Sequence, residues 1–164
     1  MTANKLILSF IITLGIIALF VSVGVSHNNS APNFECIQCH EGGMGDVEIK
    51  LEGLPEKYVP GKTYKMTLTV VSENESLGDV AGGFAVEASA GELIVVDKKN
   101  TQLSDGILTH TKEGSALRKW VVGWKAPSQK IETDLSVMAV AANGDFSTAG
   151  DVIGADGFSI TPGK

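Results

Sequence analysis

From Asp46 onward the chain alternates apolar and polar residues, and this alternation constrains its fold more than any other feature. Val47, Ile49 and Leu51 alternate with Glu48, Lys50 and Glu52, and Tyr64, Met66, Leu68 and Val70 alternate with Lys65, Thr67 and Thr69. Successive side chains of a strand point to opposite faces, so such runs make strands with one buried face. The same reading predicts strands over Phe84–Ala88, Glu92–Val96, Ile107–Thr111, Leu117–Trp124, Thr133–Ala142 and Phe158–Ile160. Turn signals separate them at Pro60-Gly61, Gly82-Gly83, Ser104-Asp105-Gly106, Ala126-Pro127-Ser128 and Asn143-Gly144-Asp145, with Asp156-Gly157 as a turn before the last strand. No segment after residue 30 sustains a 3.6-residue period. The expectation for residues 46–164 is one all-β domain, an immunoglobulin-like antiparallel β-sandwich. Trp120, Val122 and Trp124 fall on one strand face and read as its core.

The other end of the chain is a different object. Leu6 to Val25 is a 20-residue uncharged run with 15 apolar residues, preceded by Lys5. As a helix it would span roughly 30 Å, the thickness of a hydrocarbon core. Residues 1–26 therefore read as an N-terminal transmembrane helix, with the N-terminus held in the cytoplasm by Lys5 and the domain outside the cell membrane. The alternative is a cleaved signal segment that releases a secreted or periplasmic protein. Such segments have shorter apolar regions, and neither Ser22-Val23-Gly24 nor Gly24-Val25-Ser26 makes a good cleavage site. Lys5 is one of 13 basic residues, so the exported part sets 12 against 19 acidic ones, a net charge of −7. That balance excludes a nucleic-acid partner and favours a protein partner with a basic docking face. Asn28-Asn29-Ser30 and Asn74-Glu75-Ser76 match the glycosylation acceptor pattern.

Residues 27–45 join these two parts as a tether and a glycine-rich loop, and they carry the chemistry. Cys36-Ile37-Gln38-Cys39-His40 has the spacing of c-type haem attachment. Each thiol can form a thioether to one haem vinyl group, and the adjacent His comes under the porphyrin as an iron ligand. Two cysteines are too few to staple a fold, but they suffice to hold one haem. A plain Cys36–Cys39 disulfide and a zinc site completed by a fourth ligand are the competing readings. For the sixth iron position the chain offers Met44, Met66, His110, Met138 and, in the tether, His27. Met66 shares its strand face with Tyr64 and Leu68 and reads as core, and Met138 sits in an alternating strand where Val137 and Ala139 oppose it. Met44 is only four residues beyond His40, which makes the opposite haem face awkward to reach. The loop from Asn143 to Asp151 offers Asn143, Asp145 and Asp151 as oxygen ligands for Ca²⁺, without the spacing of an EF-hand. Asp and Asn are also common in turns for conformational reasons alone. No Ser/His/Asp set, paired carboxylates or phosphate-cradling loop stands out, so no catalytic residue is expected.

An ordered series of short motifs carries a family resemblance. It runs Tyr58-Val59-Pro60-Gly61-Lys62-Thr63-Tyr64, Gly83-Phe84, Thr109-His110-Thr111, Trp124-Lys125-Ala126-Pro127, Ala141-Ala142-Asn143-Gly144-Asp145 and Gly150-Asp151. Together these resemble the Reeler-like β-sandwich family, in particular its exported choice-of-anchor V type, over residues 34–160. The resemblance implies that a Cys-x-x-Cys-His segment precedes the sandwich, matching Cys36, Cys39 and His40, and that a mid-domain His-Thr pair matches His110-Thr111. His110 thereby becomes the distal ligand implied. The chain departs from the family in showing no sorting tail after Thr161-Pro162-Gly163-Lys164, the N-terminal run taking the anchoring role.

These readings give three functional expectations. The first is a membrane-tethered, extracytoplasmic monohaem c-type cytochrome carrying single electrons, with His40 proximal and His110 distal. The second is a haem sensor or peroxide-reactive enzyme with an open sixth position. The third is a haem-free exported interaction module in which Cys36 and Cys39 form a disulfide.

Overall fold

A computed structural model describes residues 40–43 and 45–164. The alternation in the sequence becomes the inner face of a sheet. In β4 (Thr63–Ser72) Met66, Leu68 and Val70 are buried, and in β9 (Lys119–Lys125) Trp120, Val122 and Trp124 are fully enclosed. These strands are antiparallel neighbours, with Leu68 opposite Trp120 and Tyr64 opposite Trp124. β2 (Val47–Glu52) flanks β4 and β6 (Glu92–Ile94) flanks β9, which gives the four-stranded order β2-β4-β9-β6.

The second sheet has seven strands. It runs β1 (Glu41–Gly42), β11 (Ala149–Pro162), β10 (Thr133–Ala141), β5 (Gly82–Ala88), β8 (Ile107–His110) and β7 (Thr101–Ser104), with β3 (Lys57–Tyr58) added beside the far end of β11. Val86, Leu108, Leu135, Val137, Ala139 and Ala141 turn inward to meet the other sheet, and this two-layer burial is the core. Tyr58 is wholly buried, stacks edge-on against Trp124 at 5.6 Å, and uses its hydroxyl on the backbone of Gln129 and Ile131.

The expected all-β sandwich is present, with four differences in detail. β7 escapes sequence reading because Thr-Gln-Leu-Ser has one large apolar residue and that residue, Leu103, is exposed. Neither Asp156-Gly157 nor Gly82-Gly83 is a turn: the first pair lies within β11, opposite Val137 and Ser136, and the second within β5, opposite Ala141 and Val140. The last strand is therefore 14 residues long and begins inside the segment expected to be loop. The sandwich is also not purely antiparallel, because β1 and β3 both pair parallel with β11. Two-residue strands have no periodicity to read. Finally, one 3₁₀ turn, Glu113–Ala116, interrupts the strands and supplies the carbonyl of Gly114 to the indole N–H of Trp120 at 2.8 Å.

Arg118 ties one end of the two layers together. Its guanidinium donates to the carbonyls of Ala81 (2.9 Å), Ala142 (3.1 Å), Ser72 (3.4 Å) and Asn74. The fork thus joins the end of β4, the loop after it and the end of β10. No helix among the described residues is long and apolar enough to cross a membrane, and Leu6–Val25 lies outside those residues.

Candidate metal centre

The segment carrying His40 is docked on the sandwich edge by backbone geometry. β1 runs parallel to the start of β11, with Gly42 opposite Asp151, and the N–H of Gly43 donates to the carbonyl of Asp151 at 3.1 Å. The approach is close enough to require glycine. A Cβ on Gly43 would lie 2.5 Å from the Asp151 carbonyl oxygen and 2.6 Å from a Val152 methyl. Held this way, His40 brings its Nδ1 to 2.6 Å from the Asp151 carboxylate oxygen Oδ2. The other carboxylate oxygen accepts the backbone N–H of Asn143 at 3.0 Å. A carboxylate only accepts, so Nδ1 carries the proton, and in the neutral ring the lone pair is on Nε2. No partner for Nε2 is found among the described residues. Asp151 is 3% exposed and His40 33%, so a half-buried ring rests on a buried anchor.

His110 ends β8, and its ring lies against the backbone of β5. Its Nδ1 is 3.2 Å from the N–H of Phe84, 3.4 Å from the Phe84 carbonyl and 3.3 Å from the Thr109 hydroxyl. Gly83 makes this possible, since a Cβ there would strike the ring at 2.6 Å. Donation from Nδ1–H to the Phe84 carbonyl leaves a lone pair on Nε2, whereas acceptance from the Phe84 N–H puts the proton on Nε2.

Burial holds the pKa of His110 below its ordinary value; the hydrogen bond to Phe84 opposes this, and the charge of His40 adds to it. In the haem-free chain the unfolded state takes up a proton near pH 6.5 while folded His110 resists it. Stability is then full above about pH 6.5 and falls as pH drops through the window below it. Urea midpoints of the haem-free chain and of His110→Gln, compared between pH 7.5 and 5.5, should diverge, with the parent losing more. Parallel profiles would refute the assignment.

Beside His110 the larger sheet has an apolar outer face. Ala85, Val140 and Ala142 alternate out of the core cluster yet are buried, with Val140 opposite Gly83 and Ile153, and Ala85 opposite Met138. Met66 is core, as expected, and Met138 is half-buried on this outer face. Cys36, Cys39, Met44 and His27 lie outside the described residues. The three oxygen donors expected of the 143–151 loop each accept a hydrogen bond. Asn143 Oδ1 accepts from the N–H of Asp145, Asp145 Oδ1 accepts from the N–H of Ser147, and Asp151 is taken by His40. No group of three or more His, Cys, Asp or Glu able to hold a metal ion occurs among the described residues. The Asn74 amide donates to the carbonyls of Ala141 (2.7 Å) and Gly150 (3.2 Å), so a glycan on that nitrogen would displace both.

Asp151 also meets a residue that the sequence does not bring to it. Its partner is 111 residues away, across a parallel pairing of two residues that leaves no signature in the chain.

No family model matches the chain, and no curated protein matches it. Among solved structures, the Reeler domain of human F-spondin superposes with a TM-score of 0.51 at 19% identity, covering 76% of this chain and 93% of that one. The fold is Reeler-like. The Reelin-N domain of F-spondin is a further neighbour, with a TM-score of 0.49 at 18% identity over 76% of this chain and 91% of that one. At such identities the Reeler likeness concerns the path of the backbone, and the chemistry of His40, Asp151 and His110 has to be argued from the residues themselves.

Proposed function

We propose that the chain is an extracytoplasmic, membrane-tethered monohaem c-type cytochrome of the choice-of-anchor V type, in which Cys36 and Cys39 would hold the haem and His40 and His110 would ligate its iron. The observation that carries this reading is the His40 imidazole, next to the attachment motif, with Nδ1 fixed on Asp151 and Nε2 without a partner among the described residues. A second imidazole at the end of β8, lying over Gly83 beside an apolar sheet face, supports the same reading. The donor set suits the group: two neutral imidazoles are iron ligands, and the sheet face carries small and apolar side chains. Bound there, a haem supplies a one-electron iron couple, and two imidazoles leave no vacant position for oxygen or peroxide. Residues 1–26 anchor the protein, and its net negative exported part meets a redox partner through a basic face.

The second reading, an open sixth position, is favoured by one specific contact. If the Phe84 N–H donates to His110 Nδ1 at 3.2 Å, the proton sits on Nε2 and the ring does not ligate. A visible spectrum of the full chain, made in a host with haem-c maturation machinery, tests both. A haem band that survives denaturation is expected, with a low-spin spectrum that turns high-spin in His110→Ala. Absence of covalent haem overturns the cytochrome reading in favour of the disulfide-bearing interaction module. A low-spin spectrum unchanged in His110→Ala removes that residue from the iron.

A further inference from the structure

We infer that Asp151 is the positioning residue for His40, fixing which ring nitrogen faces outward and how strongly that nitrogen donates to a metal. The spectroscopic consequences rest on the cytochrome reading; the orientation itself does not. The polar contacts at Asp151 have one geometric effect. Its carbonyl holds the N–H of Gly43, its Oδ1 accepts the N–H of Asn143, and its Oδ2 accepts Nδ1–H of His40. The first contact fixes the chain just after His40, the second fixes the carboxylate, and the third fixes the ring. No lysine or arginine forms an ion pair with Asp151 among the described residues, so the imidazole is the counterpart its buried charge has there.

A carboxylate behind the ligating ring has two effects that a neutral acceptor lacks. It holds the Nδ1–H tautomer, leaving Nε2 as the nucleophilic lone pair, and it draws the Nδ1 proton toward itself, which makes Nε2 more basic. A more basic ligand stabilises the ferric over the ferrous ion and lowers the reduction potential. The residues that dock the attachment segment on the sandwich are therefore also the residues that tune the iron. A one-residue shift of β1 along β11 would break both functions together.

The experiment uses the full haem-loaded chain and compares Asp151→Asn with Asp79→Asn. Asparagine keeps an acceptor of the same size at 151 and removes the charge. Asp79 is an exposed carboxylate in the loop before β5, so its variant controls for charge loss alone. At a fixed ambient potential the ferrous-to-ferric ratio of Asp151→Asn should rise at least tenfold, about 59 mV for a one-electron couple, with haem still attached and low-spin. Asp79→Asn should change the ratio by less than threefold. Equal shifts in the two variants, or no shift in Asp151→Asn, would overturn the inference while leaving the cytochrome reading intact. Nitrogen NMR of the haem-free full chain gives a readout that does not depend on haem. His40 should show the proton on Nδ1 in the parent and on Nε2, the form a free imidazole ring prefers, in Asp151→Ala. A parent ring already protonated on Nε2 would overturn the inference even if haem never binds.

Discussion

Trp120→Ala is expected to destabilise the domain by about 4 kcal/mol, within the range seen when a large buried aromatic is truncated. Trp120 is 1% exposed and stands at the centre of β9, opposite Leu68. Its ring packs on Phe84 of the other sheet with centroids 4.8 Å apart, and its indole N–H reaches the Gly114 carbonyl at 2.8 Å. Truncation therefore opens a cavity between the layers and also strips a buried hydrogen bond, and neither loss can be repaired by water entering an apolar space. Trp120→Phe separates the two effects. It keeps most of the packing and loses the N–H, so its cost should be about 1–2 kcal/mol. Urea unfolding followed by circular dichroism measures both. Equal costs for Phe and Ala would show that the hydrogen bond and not the packing dominates, and a cost below about 1 kcal/mol for Ala would place Trp120 outside the core.

Trp120 also marks the limit of what sequence reading could reach. Its place in the core was legible because Trp120, Val122 and Trp124 alternate with Val121 and Gly123 on a strand whose two faces differ. The same logic gave β2, β4, β5, β8 and β10, where burial alternates or runs continuously. It failed where position depends on partners far along the chain. Gly150, Gly154 and Gly157 break the pattern of β11, so its sequence reads as loop, turn and short strand, yet its backbone is held by β10 along most of its length. The candidate site divides in the same way. His40 was legible from the spacing of the two cysteines, which is local chemistry. The His40–Asp151 contact was not, because it depends on register between β1 and β11. His110 was singled out by family resemblance, but the role of Gly83 beneath its ring appears only once β5 and β8 are neighbours.

That glycine gives the second large expectation: Gly83→Ala should remove His110 from the iron without touching His110. Gly83 lies in β5 with an ordinary negative φ, so the backbone accepts alanine and the obstacle is space alone. The added Cβ would fall 2.6 Å from His110 Cε1 and 3.1 Å from both ring nitrogens. Such contacts force the ring to rotate, and rotation forfeits its bond to Phe84 and carries Nε2 away from its present direction. In the haem-loaded chain the expected result is a change from low-spin to high-spin, matching His110→Ala. A retained low-spin spectrum would show that the ring over Gly83 is not the sixth ligand. Stability gives an independent reading. Overpacking here should cost about 1–3 kcal/mol in the haem-free chain. Because the clash is with one ring, it should largely vanish once that ring is gone. In the His110→Ala background the same Gly83→Ala change should then cost less than about 0.5 kcal/mol, the size at which two sites no longer couple. If the cost is the same in both backgrounds, the strain lies elsewhere in β5, and His110 is free of the constraint that aims it.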